Sequence, residues 1–170
     1  MPEIAFGKHP KLEPGFKDHV IDLAGELGCD PSHLMAAMAF ETGETFSPSI
    51  RNKLSGATGL IQFMPATAKG LGTTTADLAQ MSAVAQLAFV RKHFLPFRNR
   101  LQTLADVYMT ILFPVAVGKP AAHVLFARPS VQYEQNAGLD ANKDGTVTKE
   151  EAAAKVQAKL LRGMKDEFRG

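Results

Sequence analysis

Residues 30–43, DPSHLMAAMAFETG, contain the helix pattern on which the prediction of the fold depends. Asp30 is a typical N-cap residue, Pro31 suits the first helical position and Gly43 suits the C-terminal stop. Four side chains recur three or four positions apart and share one buried side of this helix: Leu34, Ala37, Met38 and Glu41. A carboxylate on a buried side must find a partner or keep its proton, so Glu41 is a candidate functional residue.

The remaining chain predicts a mainly α fold of about eight helices. Residues 47–59, SPSIRNKLSGATG, are rich in turn residues and predict a loop or a small β-excursion. Apolar spacing and helix-ending Gly or Pro predict helices or helical turns over residues 16–27, 65–72, 74–81, 82–95, 101–113, 120–126, 130–136 and 149–168.

The composition is that of one soluble globular domain covering residues 1–170, with 45% hydrophobic and 21% charged residues. The formal net charge of +2 comes from scattered Lys and Arg, so no nucleic-acid partner is indicated. Cys29 is the single cysteine of the chain, which excludes an internal disulfide. We read it as a small structural residue, and the five histidines show no metal-ligand spacing. We expect a monomer.

The N-terminal sequence, MPEIAFGKHPKLEPGF, has no basic segment followed by an apolar one, so no signal peptide is predicted. The longest apolar stretch, ILFPVAVG at residues 111–118, is shorter than the ~20 residues that span a bilayer. We therefore expect a protein that is made in the cytoplasm and does not insert into a membrane. If its target lies outside the cytoplasm, another system must deliver it.

Residues 140–151, DANKDGTVTKEE, match the calcium-binding loop of an EF-hand at each ligand position. Gly145 occupies the sharp turn at position six. The predicted ligands are the side chains of Asp140, Asn142, Asp144 and Glu151, the backbone carbonyl of Thr146, and Thr148 through a water. The alternative is an Asx-rich turn that only caps the last helix. Because the loop is single, we predict a structural Ca²⁺ within residues 130–165 and not a sensor.

Glu41 is predicted to lie in the last turn of its helix, near the negative end of the helix dipole and among apolar side chains. Both factors raise the pKa of a carboxyl group, and a proton held near neutral pH is what a general acid needs. The alternative is a structural ion pair between Glu41 and Arg51 or Lys53. Spacing alone leaves the two possibilities open.

Two segments carry a family resemblance: AMAFETGETFSPSI at residues 37–50 and SGATGLIQFMPATAKGLG at residues 55–72. They resemble the glutamate and Gly-Leu-Met-Gln segments of the soluble lytic transglycosylase and goose-type lysozyme superfamily. The resemblance spans about residues 30–110 and is nearest to the single-domain, lysozyme-like proteins of phages and of bacteria that attack other bacteria. It implies a lysozyme-like fold, with the EF-hand-like loop and helix added at its C-terminal end.

The resemblance implies that Glu41 is the catalytic residue and that Gln62, the last residue of Gly-Leu-Ile-Gln, contacts substrate sugar. Tyr108 is carried over as a sugar contact, although Met109 and Thr110 depart from the Ala-Tyr-Asn segment of the family. Ser55 and Thr58 are predicted to be polar residues that line the substrate groove, and Glu44 is a further candidate there. Glu44 could hold a water opposite Glu41, or it could be a solvated loop residue.

The activity implied is cleavage of the β-1,4 bond between N-acetylmuramic acid and N-acetylglucosamine in bacterial peptidoglycan, with Glu41 as acid and then base. The product would be 1,6-anhydromuramic acid in a lytic transglycosylase and a reducing end in a lysozyme. The cell wall would be reached by phage- or secretion-dependent delivery. Two alternatives from other classes are a catalytically inactive, calcium-binding structural component of a phage tail or baseplate, and a calcium sensor.

Overall fold

The computed structural model describes residues 2–170 and is mainly helical. Over these residues the chain forms eight α-helices: α1 (Phe16–Leu27), α2 (Pro31–Thr42), α3 (Pro65–Gly70), α4 (Thr75–Gln80), α5 (Ala83–Phe94), α6 (Leu104–Leu112), α7 (Val131–Asn136) and α8 (Lys149–Gly163). The mainly α prediction is confirmed. None of these helices has the length and apolar character needed to cross a membrane.

The ends of α2 follow the local capping chemistry that the sequence predicted. The Asp30 side chain accepts a hydrogen bond from the Ser32 backbone N–H at 2.8 Å, and Pro31 is the first helical residue. Gly43 ends the helix in the left-handed conformation with a φ of 59°. The predicted limits of α2 are therefore confirmed, and Glu41 lies in its last turn as expected.

α2 is the central helix of the core and is buried on more than the single side that the apolar spacing indicated. It packs against α1, α6 and α8. Its buried residues include a continuous run through the middle of the helix, from Leu34 to Ala39. Since α2 is enclosed on several sides, the position of its C-terminal turn depends on all three neighbouring helices.

A two-stranded antiparallel sheet joins β1 (Val124–Ala127) to β2 (Thr146–Thr148). The predicted helical turn at residues 120–126 is therefore wrong, whereas the one at residues 130–136 is confirmed as α7. The reason is long-range: the carbonyls of residues 121 and 123 accept hydrogen bonds from the backbone N–H groups of Glu150 and Lys149, at 3.0 and 2.9 Å. Pairing with distant backbone groups overrides local helix preference there.

The last helix is shorter than the predicted 149–168 because the chain turns at Gly163. A Cβ atom at Gly163 would lie 2.5 Å from the ring of Phe6, so the N-terminal segment occupies the space of a side chain. Beyond Gly163 the chain returns to that segment: the Ile4 N–H donates to the Gly170 carbonyl at 2.8 Å, and the Lys8 N–H donates to the Phe168 carbonyl at 3.0 Å. The two ends of the described chain are thus joined by backbone hydrogen bonds.

Residues 47–59, for which a loop or a small β-excursion was predicted, form a small β-excursion together with residues 60–64. Isolated bridges pair Thr58 with Arg51 and with Phe63. Gln86 of α5 binds this segment through hydrogen bonds: its Oε1 accepts from the Leu60 N–H at 2.8 Å. The Gln86 Nε2 donates to the carbonyls of residues 48 and 78, both at 2.9 Å. One buried amide therefore fixes this loop to the helical core.

Candidate functional site

Glu41 is half-buried, and burial raises the pKa of its carboxyl group to about 7. Within residues 2–170 no hydrogen bond or salt bridge joins the Glu41 side chain to another side chain. The alternative of an ion pair with Arg51 or Lys53 is therefore wrong: both side chains are exposed and neither is paired with Glu41. A half-buried carboxyl group without a cation can hold a proton at neutral pH.

Tyr108 of α6 lies beside the end of α2. Its ring meets the ring of Phe40 edge to face, with 5.7 Å between the ring centroids. Burial raises the pKa of the Tyr108 hydroxyl, and the nearby Glu41 carboxylate raises it further. The structure therefore brings Tyr108 and Glu41 together. Only 4% of Tyr108 is exposed, so its ring belongs to the core beside Glu41 and offers little surface for contact with sugar.

Gln62 has a structural role in the described chain. Its backbone is left-handed, with a φ of 54°, and its Nε2 donates to the carbonyls of Gly59 and Ile50 at 3.0 and 3.2 Å. Within residues 2–170, no protein group donates a hydrogen bond to its Oε1. Gln62 also lines a depression of about 40 Å³ together with Ile111 of α6.

The same side of α6 connects Gln62 to the neighbourhood of Glu41. Ile111, which lines the depression beside Gln62, lies three positions after Tyr108, the neighbour of Glu41. Residues three apart lie on the same face of a helix, about 4.5 Å apart along its axis. Tyr108 and Ile111 therefore share one face of α6, with Glu41 near the first and Gln62 near the second.

The other polar residues of the motif region divide into exposed and buried ones. Ser55 is exposed, and its Oγ accepts a hydrogen bond from the Ala57 N–H at 3.2 Å. Thr58 is only 1% exposed and donates its hydroxyl proton to the Gly56 carbonyl at 2.9 Å. The expectation that Thr58 lines the groove is therefore wrong, because its hydroxyl is used within the β-excursion. Ser55 stays a candidate.

Glu44 is neither a solvated loop residue nor free to hold a water. Its Oε1 accepts from Lys159 Nζ at 2.7 Å and from Arg162 Nε at 2.5 Å, and its Oε2 accepts from Arg162 Nη2 at 3.0 Å. The hydrogen bond from Arg162, assisted by Lys159, lowers the pKa of Glu44 to about 2 against the opposing effect of burial. The prediction of a groove position for Glu44 is corrected accordingly, since both of its oxygens face α8.

Sequence reasoning missed a buried ion pair and a buried amide that support this region. Asp106 Oδ1 accepts from Lys149 Nζ at 2.5 Å and from the Gly118 N–H at 2.8 Å, with both charged side chains less than a tenth exposed. Lys149 begins a strongly charged helix, so nothing in the sequence indicated its burial. Gln86, in contrast, lies between Ala83 and Val90 on the apolar side of α5, and this position was a signal that its amide is buried.

The predicted calcium loop is folded as a closed turn between α7 and α8. The Asp144 N–H donates to Asp140 Oδ1 at 3.2 Å and to Asn142 Oδ1 at 3.1 Å, so positions one and three both face position five. Glu151 Oε2 accepts from the Ala141 N–H at 2.8 Å, which brings position twelve back to the start of the loop. Gly145 takes the sharp turn with a φ of 89°.

The residues at the other ligand positions connect the loop to the fold. Thr146 and Thr148 lie on β2, which pairs antiparallel with β1. Thr148 is the N-cap of α8 and forms a capping box with Glu151. From outside the loop, the Tyr133 hydroxyl donates to Asp140 Oδ2 at 2.6 Å. No three His, Cys, Asp or Glu side chains of residues 2–170 form a metal-binding group, so calcium stays a prediction.

A cleft of about 690 Å³ lies between the N-terminal ends of α6 and α8. Its lining includes Asp106 and Lys149 but not Glu41 or Gln62, so this cleft is separate from the motif region. Cys29 is half-buried, and burial followed by the charge of Asp30 raises the pKa of its thiol to about 12. Such a thiol is not a nucleophile at neutral pH, as the sequence indicated.

Comparison with protein-family models finds no match to this chain, and a search of curated proteins finds no matching relative.

Proposed function

We propose that this protein is a peptidoglycan-degrading enzyme in which Glu41 is the general acid and then the base. The observation that supports the proposal best is the environment of Glu41: a half-buried carboxyl group, without a salt-bridge partner in residues 2–170, whose pKa is raised to about 7. Such a group is protonated in part at neutral pH and can transfer its proton to a glycosidic oxygen. The choice of peptidoglycan as the substrate rests on the family resemblance at residues 37–50 and 55–72.

The proposed reaction begins when Glu41 protonates the oxygen that links N-acetylmuramic acid to N-acetylglucosamine. As the C–O bond breaks, positive charge develops on the muramyl ring, and the 2-acetamido group of the substrate stabilises it. The Glu41 carboxylate then removes a proton from the muramyl C6 hydroxyl or from water, which gives an anhydro or a reducing end. Glu44 is not assigned to this chemistry because Arg162 and Lys159 occupy its oxygens.

Support for substrate contact comes from the side of α6 that connects Tyr108 to Ile111. Gln62 Oε1 and the exposed hydroxyl of Ser55 are the proposed polar contacts to sugar. Phe40 and Tyr108, whose rings pack edge to face near Glu41, are the proposed apolar groups that exclude water from its carboxyl group. A Ca²⁺ ion bound by residues 140–151 would supply charge compensation to the loop and stabilise the fold.

The test is mass spectrometry of the fragments that the protein and its Glu41→Gln variant release from purified peptidoglycan. We expect muropeptides from the unchanged protein alone, with anhydro ends for a lytic transglycosylase and reducing ends for a lysozyme. Glu26→Gln, which changes an exposed carboxylate on α1, is the control and should release the same fragments as the unchanged protein. If the folded protein releases no fragments, the enzyme proposal is wrong and a structural role takes its place.

A further inference from the structure

The turn that contains Glu41 is closed by the backbone of Glu44. The Glu44 N–H donates to the Ala39 carbonyl at 2.8 Å, and the Gly43 N–H donates to the Phe40 carbonyl at 3.4 Å. These two bonds, with Gly43 in the left-handed conformation, form a Schellman motif in which Glu41 is the last helical residue but one. A shift of Glu44 therefore moves the turn that carries Glu41.

Glu44 itself has an unusual backbone conformation that its surroundings must maintain. Its φ is 62°, in the left-handed region that non-glycine residues rarely adopt. Its side chain is held by α8, because Lys159 and Arg162 lie three positions apart on one face of that helix. Arg162 is in turn fixed above the ring of Phe168, 4.6 Å from the ring centroid. The strained position is thus held by three hydrogen bonds from one rigid helix.

The other end of α8, its N-terminus, is joined to α6. Lys149, the first residue of α8, donates to Asp106 of α6 at 2.5 Å and to the Lys119 carbonyl at 2.8 Å. Asp106 lies two residues before Tyr108, the neighbour of Glu41. α8 is therefore joined by ion pairs to both elements that enclose Glu41: the end of α2 and the start of α6.

We propose that Glu44 is a positioning residue for Glu41, acting through its ion pairs with Lys159 and Arg162, and that α8 is the strut that holds Glu41 against α6. This inference rests on the proposed function, since it assigns to Glu44 a role in that same site. It predicts that losing the ion pairs lets the last turn of α2 move away from Tyr108 and exposes Glu41 to water.

The experiment compares two charge-neutral double variants of the whole protein. Glu44→Gln with Arg162→Gln removes the strut contact without changing the net charge. The matched control is Glu26→Gln with Arg91→Gln, which removes another bidentate ion pair, the exposed one between α1 and α5. The readouts are the pKa of Glu41, followed by carbon-13 NMR and assigned with Glu41→Gln, and kcat and KM for fragment release.

In the Glu44/Arg162 variant we expect the pKa of Glu41 to fall by about one unit toward its ordinary value, because water replaces the apolar surroundings. We expect kcat to fall about tenfold, with KM changed less than threefold, and the control to change neither. A pKa and a kcat equal to those of the control would overturn the proposal. Arg162→Lys keeps the charge but loses the bidentate geometry, so it should show a smaller shift in the same direction even if the double variant does not fold.

The two proposals fail in different ways. If the unchanged protein releases no fragments from peptidoglycan, the proposed function is wrong, but the titration of Glu41 still decides whether Glu44 positions it. If fragments are released and Glu41 titrates identically in the folded Glu44/Arg162 or Arg162→Lys variant, the positioning role alone is wrong.

Discussion

Glu41 and Glu44 are three residues apart at the end of α2, yet their carboxyl groups have opposite environments. Burial raises the pKa of Glu41 to about 7, whereas the hydrogen bond from Arg162, with a contribution from Lys159, lowers that of Glu44 to about 2. The two pKa values are separated because only Glu44 reaches the cations of α8. A pair of carboxyl groups separated in this way assigns the proton-holding role to Glu41 and a structural role to Glu44.

We expect Glu41→Gln to stabilise the protein at alkaline pH. The pKa of Glu41 is raised from its ordinary 4.5 to about 7, so Glu41 carries no penalty below about pH 4.5. Above that pH stability is lost progressively as Glu41 ionises, and the loss levels off above about pH 8, where the buried carboxylate is almost fully charged. The variant should gain up to about 3 kcal/mol at pH 8 and nothing at pH 4, since one pKa unit is worth about 1.4 kcal/mol. Urea denaturation at the two pH values measures the difference, and an equal effect at both would contradict it.

If Glu41 is the general acid, kcat/KM for fragment release should decline above about pH 7, by about tenfold for each further pH unit. The physical reason is that only the protonated fraction of Glu41 can donate to the leaving oxygen. Rates measured between pH 5 and 9 on purified peptidoglycan, with the fold monitored by circular dichroism, provide the test. A rate that stays constant from pH 7 to 9 would assign the proton transfer to another group.

Calcium should raise the melting temperature, and Glu151→Gln should abolish most of that rise. Glu151 closes the loop by accepting from the Ala141 N–H, whereas the adjacent Glu150 is exposed and supplies no predicted ligand. At a calcium concentration of 100 Kd the stabilisation is about 2.7 kcal/mol. Thermal unfolding in calcium and in chelator measures the response of each variant. Glu150→Gln should respond as the unchanged protein does; equal responses in both variants would count against the calcium loop.

Lys149→Met should destabilise the protein by about 3–5 kcal/mol, because it leaves the Asp106 carboxylate buried without its cation. The double variant with Asp106→Asn should recover part of that loss, since an amide oxygen can still accept from the Gly118 N–H. Chemical denaturation of both single variants and the double variant gives the coupling energy of the pair. Additive effects would mean that the two side chains do not interact in solution.

Gly59→Ala should cost at least about 2 kcal/mol, for two reasons. Gly59 has a φ of 84°, and an added Cβ atom would lie 2.3 Å from Gln86 Oε1, the acceptor that holds the Leu60 N–H. Gly25→Ala is the matched control, because it lies within α1 with nothing within 4 Å of an added Cβ atom. That variant should gain up to about 1 kcal/mol. Thermal melts of the two variants should therefore move in opposite directions.

Most helix limits could be predicted from the sequence, because the groups that determine them are adjacent in the chain. Asp30, Pro31 and Gly43 act within one turn of the helix that they begin or end. The sharp turn at Gly145 was predicted for the same reason, because the turn residues are neighbours in the chain, whereas calcium binding there stays a prediction. The strand at residues 124–127 was not predicted, because it is formed by hydrogen bonds to β2, which comes about 20 residues later in the chain.

The amino-acid sequence by itself determined that Glu41 stands in the last turn of an apolar helix and that residues 140–151 match the EF-hand pattern. Only the tertiary structure decided which carboxyl groups have partners. Glu44 meets its cations 115 and 118 positions later in the chain, and Asp106 meets Lys149 43 positions later. A carboxyl group's pKa depends on the charges and water around it, and both are set by how the distant helix α8 packs against α2 and α6.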